Sequence, residues 1–273
     1  MRHLYKIFIA TALVACIACE ELQTGLSNDE IVSGLKEALD LGLKESVSTV
    51  SAEDGYLKDE IVKILLPPEV SALQEEIATG SITVVAGVLE VPYQTIMDAY
   101  VATNPNIDTD LFSELTIAMN RGAEQAADKA LPIFKDAILN MSFTDALGIL
   151  QGSETSATDY FFNSTNEALY QAFQPDIRSA LDQTKANDIY EGAIGFLSYP
   201  YTASLGPISH TVKASDFINV TLPATIDDYA THKAIDGLFY YIGEQEKKIR
   251  ADPFAWGSNI IEKVFGSAEA QGN

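Results

Sequence analysis

The sequence predicts an all-α fold, a multi-helix bundle of about eight to ten helices, with room for a small β insertion drawn from residues 81–91 and 208–222. Three observations carry this expectation. Long segments repeat apolar residues three and four apart, most clearly Val32, Leu35, Leu39, Leu43, Val47 and Val50. These segments open on capping residues and close on Gly or Pro. Only two stretches are dense in β-branched residues, Ser81–Val91 and the segment from His210 to Thr221.

The chain opens with Arg2 and Lys6 ahead of an apolar run, Ile7–Ala18, too short to span a bilayer as a helix. Both cysteines, Cys16 and Cys19, lie at its end, and none follows. The remaining chain therefore has no internal disulfide and no thiolate chemistry. A charged start, an apolar core and a Cys after small residues look like a bacterial lipoprotein signal. Cys19, directly before the polar Glu20-Glu21, is the preferred lipidation site. Cys16, after Leu13-Val14-Ala15, is the alternative. Residues 1–19 are read as signal peptide, 20–26 as tether, 27–266 as one helical domain and 267–273 as a disordered tail. Several acyl chains on one Cys anchor stably, since each buried methylene adds ~0.8 kcal/mol.

Ser27 and Glu30 spell a capping box ahead of a helix to Val50. Ser51–Gly55 breaks it, and Asp59–Leu66 is short and apolar-periodic. Pro67-Pro68 starts a short helix that Gly80 ends. Pro92–Ala102 fits another helix, and 104–110 is a loop. Leu111–Lys129 is a strong helix, capped by Asp108 or Asp110, on which Ala118, Gly122 and Ala126 let a neighbour approach closely. Pro132 marks a new start. At Ser142 a capping box with Asp145 opens a short helix through Leu150. Gly152 then offers a left-handed stop, and Ser153 or Thr155 a second cap. Tyr160–Phe173 and Pro175–Thr184 follow as two helices, then Asn187–Leu197. His210–Lys213 and Phe217–Thr221 read as strands able to pair with 81–91. Ile226–Ala251 is a long helix with Lys247, Lys248 and Arg250 in its last turns, where the helix dipole favours cations. Pro253 stops it, and Trp256–Phe265 closes the domain.

The net charge is −22. Without the first nineteen residues, 15 basic and 39 acidic residues remain, a net of −24. This balance speaks against nucleic-acid binding and against docking on anionic head groups through the protein surface. His210 and His232 have no second His or Cys at metal-ligand spacing, so no metal site is expected. Asn104, Asn106, Asp108 and Asp110 alternate like the start of a calcium loop. Thr109 stands where the glycine belongs, however, and Leu115 where the closing Glu belongs. No nucleophile elbow, Walker loop or dinucleotide fingerprint occurs, and no cofactor is implied. A polar set, Asn120, Arg121, Glu124, Asp145, Asp159, Tyr160 and Asp236, sits within or beside apolar helical patterns. If these residues converge they form either a buried ion-pair network or a ligand pocket.

Several segments together resemble an uncharacterised bacterial lipoprotein family, the domain-of-unknown-function family forty-one ninety-seven. They include Leu26–Val32, Gly34–Leu39, Ala118–Arg121 with Glu124, Pro132–Phe134 and Ser142–Leu150. Ala157–Phe161, Lys233–Phe239, Glu246–Arg250 and Lys263–Gly266 complete the set. The stretches 79–106 and 200–222 are longer than the family pattern. The resemblance implies a single helical lipoprotein domain and brings no catalytic residue with it. The expected protein is extracytoplasmic and lipid-anchored to a bacterial membrane, the outer membrane ahead of the inner. It would act without catalysis, through binding or assembly with an envelope protein partner. A small-ligand carrier with a pocket around Arg121 is the alternative, and an envelope hydrolase the third reading.

Overall fold

The computed structural model describes residues 25–84, 87–104, 110–183, 186–268 and 270. In chain order these form α1 (Asn28–Ser51), α2 (Pro68–Thr79), the hairpin β1 (Ser81–Val84) and β2 (Leu89–Pro92), and α3 (Tyr93–Thr103). Then come α4 (Leu111–Ala127), α5 (Ala130–Asn140), α6 (Phe143–Leu150), α7 (Ser156–Gln183) and α8 (Ala186–Ser198). A second hairpin, β3 (Tyr201–Leu205) and β4 (Ile208–Val212), precedes α9 (Asp227–Ala251) and α10 (Asn259–Phe265). Cys16, Cys19 and the tether as far as residue 24 lie outside the described residues, as does 105–109, which holds most of the calcium-like loop.

The bundle is organised by α1, α4, α7 and α9. The Ser27 hydroxyl accepts from the Glu30 amide, and the Glu30 carboxylate accepts from the Ser27 amide, so two orphan donors of α1 are satisfied reciprocally. Val47 and Val50 near its other end are fully buried. The small face of α4 works as its spacing predicts. A Cβ at Gly122 would lie 3.1 Å from the Ile177 Cα and 3.2 Å from the Ala180 Cβ, so only glycine lets α4 and α7 come this close. At the centre Phe134 stands edge-on to Phe161 and Phe239, with centroids 5.6 and 5.9 Å away.

Several expectations need correction. The two β-rich stretches do not share a sheet. Each folds on itself, Ser81 opposite Pro92 in one hairpin and Tyr201 opposite Val212 in the other. Gly87 and Gly206, at φ +82° and +60°, provide tight reversals. Closing such a short loop loses far less chain entropy than joining strands more than a hundred residues apart. Phe217–Thr221 forms no strand. Residues 160–183 are one helix, not two, with Pro175 inside α7. The missing amide removes one helical bond, but Phe173 and Ile177 on either side are fully buried and hold the helix through it. Asp59–Leu66 is not helical; it is part of a turn-rich strap. Gly152 does not adopt a left-handed backbone. Its lack of a side chain serves close approach instead, since a Cβ there would fall 2.6 Å from the Ser156 Cβ. The last helix begins at Asn259, after a 3-10 turn, Pro253–Trp256, and a left-handed Gly257.

Candidate functional site

The strap, residues 52–67, leaves the end of α1 and crosses α4 and α9. Turn hydrogen bonds pair part of its backbone with itself, the amides of Gly55, Lys58, Asp59 and Lys63 donating to the carbonyls of Ala52, Asp54, Tyr56 and Asp59. Other amides and carbonyls need partners from below. The side chains of α4 provide them. Glu124 Oε1 accepts from the amides of Tyr56 and Leu57 at 3.2 and 3.1 Å. Asn120 accepts from the Ile64 amide at 2.8 Å and donates to the Ile64 carbonyl at 2.8 Å. One buried side-chain amide thus imitates a strand neighbour. Arg121 donates to Glu124 Oε2 at 2.6 Å and to Asp54 Oδ1 at 2.7 Å, with Glu53 3.9 Å away. Lys58 is the main partner holding the Asp54 carboxyl below its usual range, and Arg121 adds to this.

On the α9 side, the Tyr56 hydroxyl donates to the Ala234 carbonyl at 2.6 Å. Burial pushes that phenol well above its ordinary range, with Glu124 and Asp236 adding to the effect. Gly237 makes room for the ring, since a Cβ there would meet Tyr56 Cε1 at 2.7 Å. Tyr241 donates to Asp59, which also accepts from the amides of Ile61 and Val62. Burial opposes the charge on Asp59. The hydrogen bonds from Tyr241 and the two amides outweigh it and hold the carboxyl low. The same bond, with burial second, lifts the Tyr241 phenol to about 12.

A second cluster joins α6 to α7. Glu246 of α9 accepts from the Ala157 amide at 2.9 Å and from the Thr158 amide and hydroxyl at 2.8 Å each. This carboxylate caps α7 from another helix. Arg250 donates to Glu246 at 2.8 Å, and to the carbonyls of Ile149 and Leu150 at 2.7 and 3.2 Å. One ion pair therefore serves the last carbonyls of α6 and the first amides of α7. Sequence reasoning did not single out Glu246 or Arg250 as site residues. It read Arg250 as a cation for its own helix dipole.

The polar set from the sequence does not converge as a whole. Asn120, Arg121 and Glu124 meet under the strap. Asp145 is the box partner of Ser142, accepting from its amide at 3.0 Å and its hydroxyl at 2.7 Å. Asp159 is exposed on α7. Tyr160 lies on a different shallow groove with Ile133 and Asp136, its phenol raised by burial and by Asp145. Asp236 pairs with Lys233 at 2.9 Å on the surface. Beside Arg121 lies an open depression of about 340 Å³, but Glu53, Glu124 and Asp128 share its wall. An anion approaching there meets mostly negative charge. Among the described residues, no group of three or more His, Cys, Asp or Glu could hold a metal ion.

The arrangement defines a helical domain with a strap fastened across two of its helices by buried polar side chains. The chain matches the family model described as "Protein of unknown function (DUF4197)" over residues 25–90 and 106–266, and it belongs to that family. The unmatched stretch, 91–105, falls within the first of the two regions read as longer than the family pattern. The second, 200–222, lies inside the match. Neither a curated protein nor a solved structure matches the chain.

Proposed function

We propose that the protein is a lipid-anchored component of a bacterial cell envelope that works by binding or assembly, not by catalysis. The observation that carries the anchor is the N-terminal pattern: Arg2 and Lys6, the apolar run to Ala18, and Cys19 at its polar edge. From Cys19 to the Ser27 cap the chain advances eight residues. That is at most about 29 Å when extended, so a lipid on Cys19 holds the body close to the bilayer. The non-catalytic half of the reading is supported by how the charged clusters are used. Arg121, Glu124, Glu246 and Arg250 are all engaged with backbone groups or with each other. The same engagement disfavours a carrier site centred on Arg121.

Metabolic labelling with an alkynyl fatty acid tests the anchor. Label is expected on the wild-type chain and on Cys16→Ala, and is expected to vanish in Cys19→Ala. Loss in Cys16→Ala alone would move the site to Cys16. Absence of label from the wild-type chain would overturn the lipoprotein reading.

A further inference from the structure

Nine polar or charged residues are buried among those described, and eight of them are satisfied within the protein. Ser46, Thr165 and Thr231 donate to carbonyls one turn back. Asn120, Glu124, Asp227, Glu246 and Ser258 have the side-chain or backbone partners their chemistry needs. Gln245 is the exception. It is 5% exposed, and its side-chain amide finds no hydrogen-bond partner among the described residues. No fully buried side-chain polar atom there lacks a partner, so this amide must open onto the surface it lines.

That surface is a groove of about 510 Å³ between α1, α9 and the turn after α9. At Gly42 a Cβ would lie 3.3 Å from the Ile249 Cδ1 and 3.6 Å from the Gln245 Cβ, so α1 and α9 run side by side here. The 3-10 turn after α9 brings Ala255 and Trp256 over its apolar side, with Ala251 beside them. Glu45 of α1 and Lys248 of α9 are exposed on its rim, and neither forms an ion pair among the described residues. The remaining charged lining residue, Asp252, is already engaged, capping the amide of Phe254 at 3.2 Å. The groove thus offers two carboxylates, of which Glu45 has no side-chain partner among the described residues, one ammonium and one amide likewise without a partner there, and one indole, in a volume typical of small-ligand sites.

We propose that this groove binds a short zwitterionic peptide. Glu45 receives the peptide's ammonium and Lys248 its carboxylate. Gln245 pairs with the peptide bond, and Trp256 with the two alanines takes an apolar side chain. The proposal deepens the reading of the chain as a binding protein and does not depend on the lipid anchor. A neutral sugar would also stack on an indole, but it leaves both rim charges unmatched.

Trp256 is the only tryptophan of the chain, so its fluorescence reports on the groove directly. The full chain is titrated with the dipeptide alanyl-leucine, with its N-acetylated, C-amidated form, and with N-acetylglucosamine. A saturable change is expected with the free dipeptide, and binding at least tenfold weaker with the blocked one and with the sugar. Gln245→Leu is expected to weaken the dipeptide at least tenfold. Lys248→Ala, at an exposed position with no side-chain partner among the described residues, does the same should the first variant fail to fold. No saturable change with the free dipeptide, equal response to the blocked form or the sugar, or undiminished affinity in either folded variant would overturn the proposal. The fatty-acid label reads the anchor separately, so the two can fail independently.

Discussion

Glu124 on α4 and Glu246 on α9 have much in common. Each is a buried carboxylate that accepts two consecutive backbone amides from a distant segment, and each is balanced by an arginine on its own helix, three residues before or four after. The settings differ. Glu124 fastens an irregular strap, and its partner Arg121 keeps 29% of its side chain in water. Glu246 splices two helices, and Arg250 keeps only 14%. The strap cluster also shares its load, with Asn120, Tyr56 and Tyr241 holding the same segment independently. The corner has a single ion pair for both helix ends. The less redundant and drier of the two should be the more sensitive to loss of one member.

The largest expected effect is therefore at the corner. Glu246→Ala leaves Arg250 without its partner and uncaps α7, and should cost about 3–5 kcal/mol by chemical denaturation. A loss below that of any strap variant would break the comparison. Asn120→Ala strips the partners from both backbone groups of Ile64 and should cost about 1–3 kcal/mol. Its sharper readout is limited trypsin digestion at Lys58 and Lys63, which should become faster while the corner stays resistant. Ser142→Ala removes the cap of α6 and should cost about 1 kcal/mol, seen as a modest drop in Tm.

The smallest effect is graded with acid. Asp59 and Asp54 have depressed pKa values in the folded protein, so they add stability that is fully present above the unfolded carboxylate range. It is lost as pH falls below about 4 toward the folded values. Tyr241→Phe removes a donor to Asp59 and should move acid loosening of the strap to higher pH. Amide exchange at Ile61 and Val62 would follow this transition.

Local devices were legible in the sequence. The boxes at Ser27 and Ser142 involve residues three apart, and the small stripe on α4 lies along a single helix face. Asn120, Arg121 and Glu124 stood out because polar groups interrupted an apolar pattern. Their partners did not, since Asp54, Tyr56 and Ile64 lie more than fifty residues away in a segment with no regular period. Asp145, Asp159, Tyr160 and Asp236 broke their patterns in the same way but went elsewhere. Glu246, capping a helix 89 residues distant, left no trace in its own neighbourhood, where a glutamate near helical lysines reads as solvated surface. Gln245 is hidden for the same reason.

Amide hydrogen exchange tests most directly whether the Arg121 cluster is a fastening and not a ligand site. The amides of Tyr56, Leu57 and Ile64 should be strongly protected in the unliganded protein. Asn120→Ala should release the Ile64 amide, while Tyr56 and Leu57, held by Glu124, and Ala157 and Thr158 keep their protection. Strap amides that exchange as freely as an open loop, or that gain protection only when a small anion is added, would contradict the account.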